Sequence, residues 1–224
     1  VHTHYLINLA SPRPGIFERS LKALAEELKR TALLGIPYVV LHPGAHVGSG
    51  ERSGLKRIIG ALDRVLKGGE DPSPTILLEV TAGQGTGLGY RLEHLAEIIQ
   101  GSAYGERLGV CLDTCHAYAA GYDFRDARGY SRFMEAFERE VGMERLRMFH
   151  INDSKTPLGS RVDRHEHIGA GRIGLDALAR FLQDPRFAGH PFVLETPKGK
   201  DADGRDWDER NLERLRRLET MEPA

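Results

Sequence analysis

The sequence predicts an α/β fold in which a parallel sheet is covered by helices on both faces. Three observations carry that expectation. Short, nearly continuous apolar runs alternate with longer segments whose apolar residues recur at helical spacing. No Gly/Ser linker, composition break or internal repeat divides the 224 residues, so a single domain over 1–224 is expected. Each apolar run also closes on a residue able to bind a cation.

The strand-like runs are "YVVLH" (38–42), "TILLEV" (75–80), "RLGVCLD" (107–113), "LRMFHIND" (146–153) and "PFVLET" (191–196). All are rich in β-branched or other apolar residues and too short for helices. Between them run helix-period segments at 17–35, 54–68, 91–101, 130–142 and 174–183, and a last amphipathic stretch, "RNLERLRRL", occupies 210–218. A hydrophobic content of 40% and a charged content of 28% are ordinary for a globular protein of this size, which can bury a substantial core. There is neither an apolar run of bilayer length nor a charged-apolar-small leader, so a cytoplasmic location and no membrane contact are expected. The net charge of −1 excludes a globally basic nucleic-acid binder but leaves room for a local basic surface around an anionic substrate. Two cysteines, Cys111 and Cys115 in "GVCLDTCHA", are too few for a disulfide scaffold and read as structural.

The informative regularity lies where the strands stop. The five runs end on His42, Glu79, Asp113, His150 and Glu195. One such ending means little, because polar residues commonly close strands. Five together are hard to assign to chance, since parallel folds place their sites at the carboxyl ends of strands. Imidazoles and carboxylates without thiolates form a nitrogen and oxygen donor set that suits zinc, manganese or iron. Their number exceeds the needs of one tetrahedral ion, so two or more cations sharing a carboxylate is the economical reading.

"RVDRHEHIGAGRIG" (161–174) adds further donors in a stretch too glycine-rich to be a helix. Asp163 and His165 are two apart and share a side in extended chain. His116, three residues after Asp113, projects from the turn that follows its strand and joins them as a separate group. Gly169, Gly171 and Gly174 permit close approach of backbone or ligand. Among the other histidines, His94 reads as a surface or packing residue. His4 and His190 have no assigned role, and His46 and His167 lie close enough in sequence to the site to orient a ligand.

"HPGAH", "LLEVTAGQG", "GVCLDTCHAYAAGYD", "FHINDSK" and "GSRVDRHEHIGAG", in that order, resemble the successive signatures of the endonuclease IV family of zinc-dependent apurinic/apyrimidinic endonucleases. The matches run from residue 2 to residue 196. The resemblance implies a TIM-type (β/α)8 barrel with three zinc ions, manganese being an alternative at some sites. One ion is implied at His2, His42 and Glu79. A second shares Glu79 and adds Asp113, His150 and Glu195, and a third takes His116, Asp163 and His165. Glu79, His42, Asp113 and Glu195 are the residues on which catalysis is expected to rest.

The implied activity is hydrolysis of the phosphodiester 5′ to an abasic site in double-stranded DNA by a monomer, leaving a 3′-hydroxyl and a 5′-deoxyribose phosphate. Tyr5 and Leu6 in "HYLINL" resemble the family's wedge into DNA, although both could equally pack beneath their own loop. Lys155, Arg161 and Arg164 flank candidate ligands and are candidates for phosphate contacts. "TAGQG" (81–85) either touches DNA or only makes a turn through Gly83 and Gly85.

The resemblance has a gap at the amino end. Five strands are counted where the family has eight, and His2 stands where a strand should end. The chain is therefore expected to lack the first two to three strands, leaving strand edges and apolar helix faces to be covered by another segment. Two rivals stand beside the nuclease reading. A metal-dependent sugar isomerase on a related barrel uses mostly carboxylates and needs no third, histidine-rich group. A non-catalytic module would bind abasic DNA without cleaving it.

Overall fold

The computed structural model describes residues 1–67 and 74–220. Helix α1 (Pro14–Leu33) leads into strand β1 (Tyr38–Leu41), followed by α2 (Glu51–Lys67), β2 (Thr75–Glu79), α3 (Leu92–Gly101) and β3 (Leu108–Asp113). Then come α4 (Thr114–Ala120), α5 (Ala127–Glu140), β4 (Leu146–His150), β5 (Asp153–Ser154) and β6 (His165–Glu166). The chain continues through α6 (Leu175–Gln183), β7 (Phe192–Val193) and α7 (Trp207–Thr220).

Five strands form one sheet in the order β1-β2-β3-β4-β7, and every neighbouring pair is parallel. The first residues extend this order, because His2 bridges Val40 in parallel and the Thr3 N–H donates to the Val40 carbonyl at 2.9 Å. His2 thus occupies a strand-end position, as expected.

Strand alternation explains how the sheet makes a site. Val39, Leu41, Ile76, Leu78, Val110 and Leu112 point toward the helices and join the main core with Leu24, Ile58, Phe137 and Phe181. Residues of the opposite parity, Val40, Leu77 and Cys111, form a small separate cluster against which Tyr38 and Met148 pack. Two residues beyond Val40, Leu77, Cys111 and Met148 come His42, Glu79, Asp113 and His150. The same parity that builds the apolar interior therefore delivers the polar side chains to its top.

Several boundaries differ from the sequence expectation. β1 ends at Leu41 and β7 at Val193, so His42 and Glu195 lie just past their strands, not on them. α5 begins at Ala127 because the Asp126 carboxylate caps it, accepting the Gly129 N–H at 2.7 Å. Gly68, the last residue of the expected second helix, lies outside the described residues. The turn expected after Asp113 is helix α4, capped by Asp113 itself and closed by left-handed Gly121 at φ 112°. The stretch 161–174 is not merely a loop, since β6 within it pairs antiparallel with β5. Among the described residues no helix is long and apolar enough to cross a membrane.

Candidate metal centre

Glu79 ends β2, fully buried, and its two carboxylate oxygens face different imidazoles. Oε2 lies 2.9 Å from His2 Nε2 and 2.9 Å from His42 Nε2. Oε1 lies 3.1 Å from His150 Nδ1 and 3.2 Å from His116 Nδ1. The Glu195 Oε2 atom approaches His150 Nδ1 to 2.9 Å, and His165 Nε2 stands 3.6 Å from Asp113 Oδ2. Asp163 spans the remaining imidazoles, with Oδ2 at 3.1 Å from His116 Nε2 and Oδ1 at 3.3 Å from His165 Nε2.

All nine sequence-predicted donors therefore converge. Donor atoms lying within 4.8 Å of one another form the sets His2–His42–Glu79, Glu79–Asp113–His150–Glu195 and His116–Asp163–His165. A further overlapping set, Asp113–Cys115–His165, includes a thiol. Burial pushes the Cys115 and Cys111 thiols up to about 12, which keeps both protonated and inert, in line with a structural role.

The electrostatics are those of a cation site. Burial alone would raise the Glu79 carboxyl, but the charges of His42 and His150 hold it well below the usual carboxylate range. Burial opposes protonation of His116 and His150, and the neighbouring carboxylates override it, raising both imidazoles. Burial also opposes protonation of His2, and its bond to Glu79 outweighs that and raises the ring. Burial likewise works against ionisation of Glu195, and His150 lowers it. Buried negative charge of this density needs positive partners, and protons on these rings are what a divalent cation would replace. The donor set fits zinc or a metal of similar hardness.

Backbone carbonyls orient the rings. His2 Nδ1 donates to the Thr3 carbonyl at 2.7 Å and His165 Nδ1 to the Glu195 carbonyl at 3.0 Å, leaving each Nε2 to face the cluster. The loop carrying Asp163 and His165 is tied down by residues the sequence reading passed over. Gln84 Oε1, from "TAGQG", accepts the Asp163 N–H at 3.0 Å, so that segment does more than turn. Asp153 is fully buried, and its carboxylate accepts backbone N–H groups of Ser154, Gly169, Gly171 and Ile173 at 2.8–3.1 Å. No local pattern announces these bonds, which reach 16 to 20 residues along the chain.

Tyr5 and Leu6 stand out at 79% and 74% exposure beside the cluster, which removes the reading that they pack beneath their loop. Tyr5 also lines a cleft of about 190 Å³ with Asn8, His42, Gly83, Gln84 and Asp163. Arg161 adopts a left-handed backbone at φ 52°, and its guanidinium stacks 4.3 Å from the Tyr90 ring centroid. Lys155 and Arg164 are exposed, Lys155 Nζ lying 3.9 Å from Glu166 and Arg164 donating to the Asp163 carbonyl at 2.7 Å.

Four of the remaining histidines are held by partners outside the cluster. His94 is buried, not a surface residue: its Nδ1 accepts the Gly89 N–H at 3.3 Å and its Nε2 lies 3.5 Å from Glu51. His46 accepts the Gly50 N–H, and His167 stacks on Trp207 at 3.7 Å, so neither orients a candidate ligand directly. His190 bonds the Leu146 carbonyl at 3.0 Å.

The xylose isomerase-like TIM-barrel family model matches residues 1–218. A protein of Chloroflexus aurantiacus named "Probable endonuclease 4" is 55% identical over 201 residues, 90% of this chain and 70% of its own length. A Geotalea daltonii protein of the same name is 53% identical over 215 residues, 96% of this chain and 74% of its own. The chain belongs to the endonuclease IV family. The crystal structure of endonuclease IV from Thermus thermophilus superposes with a TM-score of 0.81 at 39% identity, over 97% of this chain and 74% of that one. Membership makes the chain an enzyme of the nuclease class, on the TIM-barrel architecture of which five parallel strands are described.

Proposed function

We propose that the chain hydrolyses the DNA backbone on the 5′ side of abasic sites, leaving a 3′-hydroxyl and a 5′-deoxyribose phosphate, as a zinc-dependent, single-domain monomer of the cytoplasm. The observation that carries this reading is the double facing of Glu79, whose oxygens each serve a different set of imidazoles. That geometry suits a carboxylate shared between two cations. His2 and His42 would complete one ion's set, Asp113, His150 and Glu195 a second, and His116, Asp163 and His165 a third.

Divalent cations held by these residues would supply Lewis acidity toward water and phosphate at neutral pH. The chain does the rest. Glu79, immobile at the end of a strand, fixes the separation of the two halves of the site. Asp163, on the open side, meets the incoming phosphate region with its carboxylate already committed to His116 and His165. The cleft beside Tyr5 receives the nucleotide extruded from the duplex, and a nucleotide without a base unstacks at little cost, so selection needs no base readout. Leu6 and Tyr5 project where they hold the duplex open. Lys155, Arg161 and Arg164 supply phosphate contacts, Arg161 being pre-positioned by its stack on Tyr90.

A sugar isomerase on a related barrel has no use for the histidine-rich third set, which here converges fully. Incubation of a labelled abasic duplex with and without chelator, alongside elemental analysis, tests the reading. About three zinc per chain with chelator-sensitive incision is expected. Binding of abasic duplex without incision by the zinc-loaded protein would instead make it a damage-binding module.

A further inference from the structure

Between Asp113 and Glu195 sits a fully buried side chain with no place in the donor sets, that of Asn152. Its Nδ2 donates to Asp113 Oδ2 at 2.7 Å, and its Oδ1 accepts the Glu195 backbone N–H at 2.8 Å. The amide's orientation is unambiguous. A carboxylate only accepts and a backbone N–H only donates, so neither contact survives exchange of O and N.

The main chain of Asn152 is clasped as well. Its N–H donates to Thr114 Oγ1 at 2.9 Å, and the Thr114 hydroxyl donates to the Asn152 carbonyl at 2.6 Å. Thr114 directly follows Asp113, so the clasp locks the end of β3 to the segment beyond β4.

The position of these bonds is informative. β7 pairs with β4 at only two positions, and the Ile151 N–H to Val193 carbonyl bond at 2.8 Å is the last backbone contact along that edge. Glu195 comes two residues later, where no ladder bond fixes it. The Asn152 side chain takes up the Glu195 N–H there, continuing the ladder with an amide. Asp113 is held at both oxygens, Oδ1 by the His116 N–H at 2.8 Å and Oδ2 by Asn152. Only one rotamer of the carboxylate satisfies both donors, and it leaves Oδ2 facing His165 and His150.

We infer that Asn152 is a positioning residue that sets the rotamer of Asp113 and the backbone position of Glu195, and so their separation, for the cation they share with Glu79 and His150. The inference rests on the metal-nuclease reading above. Both polar atoms of its side chain are taken up by these two contacts, so its part is to position others.

Asn152→Ala and Asn152→Leu remove both contacts, the second with the same branched arrangement of heavy atoms. Phe137→Leu, a core change in α5 remote from the site, gauges the effect of lost stability alone. Competition with a chromophoric chelator should show one zinc bound roughly ten- to a hundredfold more weakly in both Asn152 variants. On abasic duplex their kcat should fall with KM unchanged, and added zinc should restore most of it. Phe137→Leu should lower the unfolding midpoint but leave zinc affinity as in the wild type. In the zinc-free wild-type protein the Asn152 side-chain amide protons should exchange slowly with solvent, a measurement independent of whether any variant folds. Wild-type zinc affinity in the Asn152 variants, losses matching those of Phe137→Leu, or rapid amide exchange would each overturn the inference. A wild-type protein that takes up no zinc and leaves the duplex intact would overturn the nuclease reading instead, while the exchange result still decides whether Asn152 is locked.

Discussion

Glu79 and Asp163 are both carboxylates set between imidazole nitrogens, yet Glu79 is fully buried at the end of β2 whereas the Asp163 side chain is 41% exposed on a loop. The strand-end group takes its geometry from the sheet. Register sets Asp113 opposite His150 and Glu79 opposite Cys111, and the added ties on this side are the Asn152 amide and the His116 N–H on Asp113. The second group has only the two-residue β5–β6 ladder behind it, which pairs Ser154 with His165. The Asp163 N–H is held by Gln84, His165 by the Glu195 carbonyl, and the glycine-rich continuation of the segment by buried Asp153. A site half built of strands and half of tethered loops should therefore fail in two ways, abruptly in the first half and gradually in the second.

The sharpest way to break that contrast is Glu79→Gln. Far-UV circular dichroism should show a folded protein, while incision of abasic duplex falls roughly 10³-fold, about 4 kcal/mol of barrier. Retained activity with intact metal content would remove Glu79 from its central place.

Asp153→Asn probes the tethers. All four backbone N–H bonds lose a charged acceptor and two of them lose any acceptor, so denaturant unfolding should register a loss of about 1–3 kcal/mol. Zinc titration should show the His116–Asp163–His165 set weakened before the others. Equal weakening of all three sets would mean that the two halves are not mechanically distinct.

The pH dependence of the metal-free protein carries opposite signs within the Asp163 and His116 pair. Burial works against ionisation of Asp163, but its bond from His116 and the charges of His116 and His165 hold the carboxyl down to about 2. An unfolded aspartate titrates at pH ~3.9, so the stability Asp163 contributes is present above that value and is lost as pH falls toward about 2. His116 is raised above its ordinary 6.5, so its contribution is complete below that value and is lost as pH rises through the higher folded value. Thermal unfolding of apo protein should accordingly weaken on both the acid and the alkaline side. Asp163→Asn should remove the acid limb that belongs to Asp163 and also diminish the alkaline limb, because its bond is one of the interactions that raise His116. An unchanged acid limb would contradict the assignment.

The smallest effect is expected at the exposed rim. Leu6→Ala should leave unfolding and zinc content unchanged and raise KM for abasic duplex about fivefold, equal to about 1 kcal/mol. A matching loss of stability would show that Leu6 supports the fold.

The strands were legible because their apolar runs are short and closed by turns, and the donors because they fall at the inward parity of those runs. His42 and Glu195 show the limit of that reading. They follow the parity but lie past the hydrogen-bonded strands, since pattern fixes which face a residue shares and not where a ladder stops. Helix α4 was signalled by an aspartate cap and a closing glycine, but its seven residues are too few to show a helical period. Asn152 and Asp153 sit in a segment quoted for its resemblance, and their work is done through contacts 16 to 43 residues away, which no local pattern reports.

Val40, Leu77 and Cys111 form the apolar floor two residues beneath His42, Glu79 and Asp113. Their packing sets an apolar layer directly under Glu79 and Asp113, both fully buried, so no water meets those carboxylates from that side. The donors thus stand on a dry shelf whose shape is set by side chains that bind nothing. Leu77→Ala would hollow that shelf beneath Glu79 and loosen its foundation without altering a single donor.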